Sequence, residues 1–230
     1  MSAQPQQLAA SVEPRPILDD ITVVIPTLGR PILKESLDWL VAGSAWPAQI
    51  TVVDQSSSPT VASWLAGLQS LGLRVEHVPS SQQGKAAALN RGIERARTRF
   101  VAVTDDDCFV DAFWLRNMAK RLHETPEAVI TGPAGPEGGE AVVAMVTART
   151  PATYHRPRLK FDVFCGSNLG MALAVLKRVG LFDEDPCLLA AEDCEWSYRV
   201  LRSGVPIIYA PEVLVWHIAW RDVGQRAARY

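Results

Sequence analysis

The sequence predicts an α/β fold in which helices flank a largely parallel sheet. Short apolar runs rich in β-branched residues, such as residues 21–25 and 50–53, alternate along the chain with amphipathic stretches of helical period. Strands and helices that alternate at this spacing form βαβ units, whose strands lie parallel. Ligands of such sheets bind beyond the carboxyl ends of the strands. The loops after the first, second and fourth predicted strands should therefore meet at one edge.

The first half of the chain is the more regular. The run at 21–25 reads as a strand buried on both faces, and the alternating run at 73–78 as a half-exposed strand. Asp111 is a suitable N-cap for a helix that ends near residue 124. The predicted strands are 21–25, 50–53, 73–78 and 100–104, and the predicted helices are 32–42, 60–71, 84–97 and 111–124.

The second half has weaker signals. Residues 132–139 contain too many Gly and Pro residues for regular structure, and residues 141–149 suit a strand or a helix equally. Arg156, Arg158 and Lys160 form a small basic cluster, which is either an acceptor element or plain surface. The remaining predictions are strands at 128–131, 167–173, 206–209 and 213–216 and helices at 174–179 and 191–203.

Composition excludes several classes of protein. Hydrophobic residues make up 48% of the 230 residues and charged residues 21%, as in proteins with a packed core. The net charge of −2 argues against nucleic acid as an electrostatically captured partner. The four cysteines form no CxxC pair, so the sequence predicts neither a zinc framework nor a disulfide framework and favours a reducing compartment.

The chain carries no recognisable signal peptide and no apolar run near the roughly 20 residues that span a bilayer. We expect a cytoplasmic protein, with peripheral contact at the cytoplasmic face of a membrane and homo-oligomer formation left open. Residues 1–19 should be a flexible lead-in, residues 20–220 a single domain and residues 221–230 a short basic tail.

Three consecutive carboxylates follow the strand predicted at 100–104. Asp105, Asp106 and Asp107 repel one another unless a cation is shared between them. In an extended chain, residues two apart point to the same side, so Asp105 and Asp107 could grip one hard metal ion. Oxygen ligands favour Mg²⁺ or Mn²⁺, with substrate phosphates completing the shell. The alternative is a solvated turn, although Asp111 already takes the role of helix cap.

Four motifs in order resemble those of family 2 glycosyltransferases: residues 24–30 (VIPTLGR), 52–57 (VVDQSS), 84–92 (GKAAALNRG) and 104–107 (TDDD). Glu192 with Asp193, and residues 215–217 (VWH), extend the resemblance over most of the chain. It implies a GT-A fold, a nucleotide-sugar donor, a divalent metal and inversion at the anomeric carbon. It also implies a nucleotide-sugar-binding half at 20–110 and an acceptor-binding half at 111–220, with the acceptor side forming a smaller subregion of the fold.

The resemblance places the nucleotide near the first two strand ends. Pro26 and Thr27 would line the pocket, and Arg30, a fixed positive fork, would lie near the phosphates. Asp54, followed by Gln55 and Ser56, would accept the N3–H of uracil, which suits a group that only accepts hydrogen bonds. The alternative for Asp54 is a turn cap, and Gln55 departs from the second aspartate that the family often has.

The next contacts come from the helix predicted at 84–97 and from the aspartates. Gly84 and Lys85 open that helix, where free N–H groups and the dipole favour a diphosphate. Asn90 either contacts the donor or packs the helix. Asp105 and Asp106 complete the predicted nucleotide-sugar site. Asp106 would either contact the ribose or only stabilise its own loop.

The base and the acceptor contacts come from the second half. An inverting displacement needs one carboxylate to take the proton of the acceptor hydroxyl. The resemblance gives that role to Asp193, with Glu192 in support, although acids in a first helical turn also suit the helix dipole. His217 is either a third metal ligand, as in some GT-A enzymes, or structural. The predicted acceptor contacts are Gly166, Ser167, Asn168 and Trp196, with a core position as the alternative for Trp196.

The function expected from the sequence is therefore transfer of a sugar from a nucleotide-diphosphate donor, with UDP favoured, to a carbohydrate, lipid-linked or small-molecule hydroxyl. The cofactor would be Mn²⁺ or Mg²⁺. One alternative is a sugar nucleotidyltransferase, for which residues 26–30 are a poor match to the expected Gly-rich basic loop. The other is a catalytically inactive nucleotide-sugar-binding or scaffold protein.

Overall fold

An eight-stranded mixed sheet forms the centre of the computed structural model, which describes residues 15–56, 58–137, 150–157, 165–188 and 191–218. The strands are β1 (Ile17–Thr27), β2 (Trp46–Asp54), β3 (Val75–Pro79), β4 (Phe100–Thr104), β5 (Cys108–Val110), β6 (Val129–Thr131), β7 (Ala134–Glu137), β8 (Ala152–Tyr154), β9 (Asn168–Ala172), β10 (Ile207–Tyr209) and β11 (Val215–Ile218). The helices are α1 (Ile32–Ala42), α2 (Thr60–Ser70), α3 (Lys85–Arg95), α4 (Trp114–Glu124), α5 (Leu173–Val179) and α6 (Glu192–Arg202).

The central sheet has the strand order β3-β2-β1-β4-β9-β6-β10-β8. The first four strands run parallel, β9 is antiparallel to both of its neighbours, and β10 is parallel to β6. A second sheet has the order β5-β11-β7. Its strand β5 follows β4 in the sequence, after residues 105–107. The predicted α/β fold with a mostly parallel sheet flanked by helices is confirmed.

Burial explains why the first half follows its sequence pattern so closely. All five residues of β4 are buried, as are the last seven of β1, which matches runs that are apolar on both faces. Helix α1 buries Leu33, Leu37, Leu40 and Val41, the predicted apolar stripe, and begins and ends at the predicted residues. The carboxyl ends of β1, β2 and β4 meet at one edge, as expected for parallel strands.

Predictions of local structure were wrong at residues 134–137 and at the start of α4. Residues 134–137, placed in a breaker-rich loop, form β7 instead, because this strand lies at the edge of the small sheet, where Pro136 costs no ladder hydrogen bond. Helix α4 begins at Trp114 rather than at residue 111. Asp111 caps the preceding turn, since its Oδ1 accepts a hydrogen bond from the N–H of Phe113 at 2.9 Å.

Several predictions fall outside the described residues. These are most of the lead-in at 1–19, the undecided segment at 141–149, Arg158 and Lys160 of the basic cluster, and the tail at 221–230. Within the described part of that lead-in, β1 already begins at Ile17 and pairs there with Trp46. No helix of the described part is both long and apolar enough to cross a bilayer.

Candidate functional site

The three aspartates form a turn between β4 and β5. The turn is closed by a hydrogen bond from the N–H of Cys108 to the carbonyl of Asp105 at 3.2 Å. The prediction that Asp105 and Asp107 point to the same side assumed an extended chain, whereas these residues form a turn, to which the period of two does not apply. The carboxylates instead face different partners.

Asp106 is buried and holds the loop after β1. It accepts a hydrogen bond from Thr27 Oγ1 at 2.6 Å and forms an ion pair with Arg30. Arg30 also lies 3.1 Å from Asp107 Oδ2. Burial lowers the pKa of Arg30, but Asp106 and Asp107 outweigh this and raise it overall. Of the two roles considered for Asp106, these contacts favour the loop. Arg30 thus pairs with two carboxylates, and its side chain is 26% exposed.

Asp105 faces the start of α3. Its Oδ2 accepts a hydrogen bond from Lys85 Nζ at 2.6 Å, whereas its Oδ1 is buried with no hydrogen-bond partner among the described residues. Burial lowers the pKa of Lys85, but Asp105, Glu192 and Asp193 together raise it above its ordinary value. The Lys85 ammonium is therefore a permanent positive charge between the aspartate turn and the first turn of α6.

Asp107 meets His217 and Cys108. His217 Nε2 lies 3.5 Å from Asp107 Oδ1, and the ligand atoms of these three residues all lie within 4.8 Å of one another. An imidazole and a carboxylate this close fit a divalent cation. The sequence pointed to His217 through the resemblance, but it missed Cys108, because only the register of β5 and β11 brings that thiol beside His217.

Asp193 lies in the first turn of α6 and is half-buried. Its Oδ2 accepts a hydrogen bond from the N–H of Gly166 at 3.2 Å, and its Oδ1 accepts one from the N–H of Cys194 at 2.8 Å. Two backbone N–H groups thus fix the orientation of the carboxylate. Burial, together with Asp193, raises the pKa of Cys194 to about 12, so that thiol stays protonated at neutral pH. Glu192 is buried beside it.

The end of β2 is enclosed by partners that the sequence did not reveal. Asp54 is buried, its Oδ1 accepts hydrogen bonds from the N–H and Oγ of Ser56, and its Oδ2 lies 3.0 Å from His77 Nε2. These contacts are those of the turn-capping alternative. Gln55 donates from Nε2 to the carbonyls of Gln82 and Gly84 at 2.5 and 2.9 Å. An aspartate could not donate these hydrogen bonds, which accounts for a glutamine here in place of the second aspartate that the family often has.

Asn90 packs α3 against the segment before α6. Its Nδ2 donates to the carbonyl of Phe182 at 2.8 Å and to Glu184 at 2.7 Å, and its Oδ1 accepts from the N–H of Phe182 at 2.9 Å. Glu184 also accepts a hydrogen bond from Gln82. Of the two roles considered for Asn90, the structure shows the packing role. Gly84, with φ of +112°, forms the turn that opens α3.

Two predicted acceptor contacts are wrong. Trp196 is fully buried, stacks on Phe182 with ring centroids 4.8 Å apart and donates to the carbonyl of Gly180. Asn168 is also fully buried, accepts from Trp114 Nε1 and donates to two backbone carbonyls. Neither side chain can reach a sugar, because both serve the core. Ser167 is buried too, 3.1 Å from Cys165 Sγ, which leaves Gly166 as the predicted acceptor residue that contacts Asp193.

Asn168→Ala should lower the free energy of unfolding by about 3 kcal/mol, because it strands the buried indole N–H of Trp114 and the carbonyls of Pro133 and Val213. Urea denaturation measures the change. The matched control is Asn117→Ala, which removes one exposed hydrogen bond on the neighbouring helix and should cost less than about 1 kcal/mol. Equal losses in the two variants would contradict the structural role of Asn168.

Comparison with known proteins identifies a matching protein family. The sequence model of the family described as Glycosyl transferase family 2 matches residues 22–180. The pre-mycofactocin glycosyltransferase of Mycobacterium tuberculosis is 25% identical over 214 residues, and the match covers 86% of this chain and 42% of that protein. The chondroitin synthase of Escherichia coli is 24% identical over 227 residues, covering 82% and 33% of the two chains. This chain thus spans less than half the length of these relatives.

Solved structures share the fold. The crystal structure of S. aureus TarS 1-349 superposes with a TM-score of 0.70 at 17% identity and covers 86% of this chain and 60% of that one. The mannosyltransferase PcManGT from Pyrobaculum calidifontis, in complex with GDP-Man and Mn²⁺, gives a TM-score of 0.67 at 21% identity and covers 96% and 61%. At these identities the similarity establishes the architecture.

Proposed function

The chain belongs to glycosyl transferase family 2, and on that premise we propose that it transfers a sugar from a nucleotide-diphosphate donor to a hydroxyl group. The observation that carries the proposal is the position of Lys85. Its ammonium lies 2.6 Å from Asp105 in the aspartate turn and interacts electrostatically with Glu192 and Asp193. The proposed diphosphate contact, the carboxylates near the proposed metal and the proposed base therefore lie within one cluster of charges.

We propose that the donor diphosphate binds at the amino terminus of α3. Free N–H groups of the first helical turn and the Lys85 ammonium both favour an anion there. Solved structures with the same fold carry UDP-GlcNAc or GDP-Man. UDP is the nucleotide that we propose, with Asp54 Oδ2 as acceptor for uracil. That atom already contacts His77, so the base must share it or displace the imidazole.

The metal would be held by Asp107, His217 and the unsatisfied Oδ1 of Asp105. A bound divalent cation neutralises the charge that develops on a departing diphosphate. Arg30 contacts the opposite oxygen of Asp107 from the one nearest His217, so it steadies this ligand without blocking it. Mn²⁺ and Mg²⁺ both suit the carboxylate oxygens.

Asp193 is the proposed base of an inverting displacement. The N–H groups of Gly166 and Cys194 each bind one oxygen and leave further lone pairs for the proton of an acceptor hydroxyl. The Cys194 thiol, whose pKa is raised, does not compete as a nucleophile. Glu192 adds negative charge beside Lys85 and keeps the ammonium in place. The acceptor hydroxyl would approach Asp193 beside Gly166.

Donor binding tests the proposal at its first step. Nucleotide sugars should raise the melting temperature by about 5 °C or more when Mn²⁺ is present at donor concentrations about a hundred times Kd. Without metal the shift should be much smaller, because the diphosphate then lacks its bridging cation. A panel that gives no shift with either UDP-sugars or GDP-sugars would contradict the donor site. A shift with nucleoside triphosphates alone would favour a sugar nucleotidyltransferase.

Gly166→Ala should lower the transfer rate tenfold or more. A Cβ at this position would lie 2.6 Å from Asp193 Oδ2 and 2.9 Å from Asp193 Cβ, so the carboxylate must move away from its bound orientation. The measurement is the rate of nucleotide release in the presence of acceptor. Donor affinity should change little, because the donor is bound at α3.

The matched control is Gly67→Ala on α2, where an added Cβ meets nothing within 4 Å. This variant should keep the wild-type rate and gain a few tenths of a kcal/mol of stability. If Gly166→Ala is as active as Gly67→Ala, then the orientation of Asp193 does not limit the reaction.

A further inference from the structure

We propose that Asp107, Cys108 and His217 form a binding site for a thiophilic divalent cation such as Zn²⁺, with the Cys108 sulfur as a direct ligand. A Zn²⁺ ion there would compete with the Mn²⁺ or Mg²⁺ of the transfer reaction for Asp107 and His217. The inference rests on the proposed metal position but not on the transfer chemistry, and its test measures binding alone.

The register of two strands brings the thiol to the imidazole. In the antiparallel pair of β5 and β11, His217 is directly opposite Cys108. Residues directly opposite each other in such a pair project from the same face of the sheet, with Cβ atoms about 5 Å apart. Phe109 and Trp216 form the next opposed pair and therefore project from the other face. The sulfur and the imidazole are thus neighbours by the geometry of the sheet.

Asp107 completes the group from the turn that leads into β5. Its Oδ1 is the oxygen near His217 Nε2, at 3.5 Å, while its Oδ2 contacts Arg30 at 3.1 Å. One ligand atom from each of the three residues lies within 4.8 Å of the others. Ligands about 2.0–2.3 Å from a common ion lie roughly 3.5 Å from one another, so only a small adjustment is needed to bind one cation.

The donor set differs in kind from three hard oxygens. A thiolate, an imidazole and a carboxylate are the protein ligands of zinc sites, and three of them leave the fourth tetrahedral position open. Mg²⁺ gains nothing from sulfur, whereas Zn²⁺ does. Binding breaks the S–H bond: the electron pair forms the bond from sulfur to the metal, and the proton leaves to solvent. A search for CxxC pairs does not find this site, because its ligands come from two segments that are far apart in the sequence.

Burial supports selectivity for one small ion. Cys108 and Asp107 are buried, whereas the His217 side chain is 22% exposed. A thiolate, an imidazole and a carboxylate together favour Zn²⁺ over Mn²⁺ or Mg²⁺. We therefore expect Zn²⁺ to bind in the absence of any nucleotide sugar, and to release bound Mn²⁺.

Cobalt serves as the spectroscopic probe. Untagged, metal-free protein carrying Cys187→Ser, which removes an exposed thiol, is titrated with Co²⁺. A sulfur-to-cobalt charge-transfer band should appear with one ion bound, and Cys108→Ser should abolish it. Cys165→Ser is the matched control, because this buried thiol contacts Ser167 but is not part of the ligand group, and it should keep the band. Zn²⁺ affinity should fall a hundredfold or more in Cys108→Ser, with Mn²⁺ affinity changed less than threefold.

X-ray absorption at the zinc edge gives a second readout that needs no substitution at Cys108. The predicted result is one sulfur at about 2.3 Å with nitrogen and oxygen at about 2.0–2.1 Å. A shell of nitrogen and oxygen alone would overturn the proposal. So would a cobalt band that persists in Cys108→Ser, or Zn²⁺ that fails to displace Mn²⁺. Because none of these readouts requires turnover, loss of the site and loss of the proposed transferase activity are separable.

Discussion

Asp193→Asn should lower the rate of sugar transfer about a thousandfold, with less than a threefold change in metal-dependent donor affinity. General bases contribute about 10²–10⁴ to such rates, and asparagine keeps the shape of the side chain while losing the proton acceptor. The donor should still bind, because its diphosphate is assigned to α3 and to the metal. Transfer is followed as nucleoside diphosphate released with acceptor present, and donor affinity by calorimetry.

The matched control for Asp193 is Asp38→Asn, an exposed aspartate on α1 that pairs only with Lys34 in the contacts we describe. It should leave both rate and affinity unchanged. If Asp193→Asn transfers sugar as fast as this control, the base must be another group. If the variant also loses donor affinity, Asp193 must act in donor binding, and its proposed role as the base would be contradicted.

Asp107→Asn should weaken Mn²⁺ binding a hundredfold or more and reduce transfer at ordinary metal concentrations to background. Asp107 is the carboxylate next to His217, so the amide removes one negative charge from the ligand group itself. Electron paramagnetic resonance of free Mn²⁺ measures the affinity directly. Raising the metal concentration should restore part of the rate, since the base and the donor contacts are intact.

The control for Asp107 is Asp111→Asn, which lies in the same connection between β4 and α4 but caps a turn. It should bind Mn²⁺ as tightly as the wild type with little change in stability, because asparagine caps a turn about as well as aspartate. Equal Mn²⁺ affinity in the Asp107 variant and in this control would place the metal elsewhere.

Local sequence predicted the parallel half of the fold because its signals are local. The run at 100–104 is apolar at every position, and the stripe of α1 is set by its own spacing. Strand β7 lay beyond such reasoning, because a segment with Gly135 and Pro136 becomes a strand only through its neighbour β11. The short β5 has the same origin, since its pairing with β11 is non-local.

The site was predictable in outline for the same reason. Parallel topology brings the carboxyl ends of β1, β2 and β4 together, and this does not depend on the contacts of individual side chains. Sequence could not tell that Trp196 and Asn168 would be buried, because a tryptophan or an asparagine beside a motif has the same local pattern in a core as at a ligand. It also missed His77 and Glu184, whose partners Asp54 and Asn90 are distant in the chain.

Phosphorus NMR of donor turnover tests the central claim most directly. The protein is incubated with Mn²⁺, a panel of nucleotide sugars and hydroxyl acceptors, and the metal is removed with EDTA before the spectrum is recorded. The account predicts the two resonances of a nucleoside diphosphate, formed by the wild type and not by Asp193→Asn. Pyrophosphate or nucleoside triphosphate among the products, or a donor that binds and stays intact across the whole panel, would contradict it.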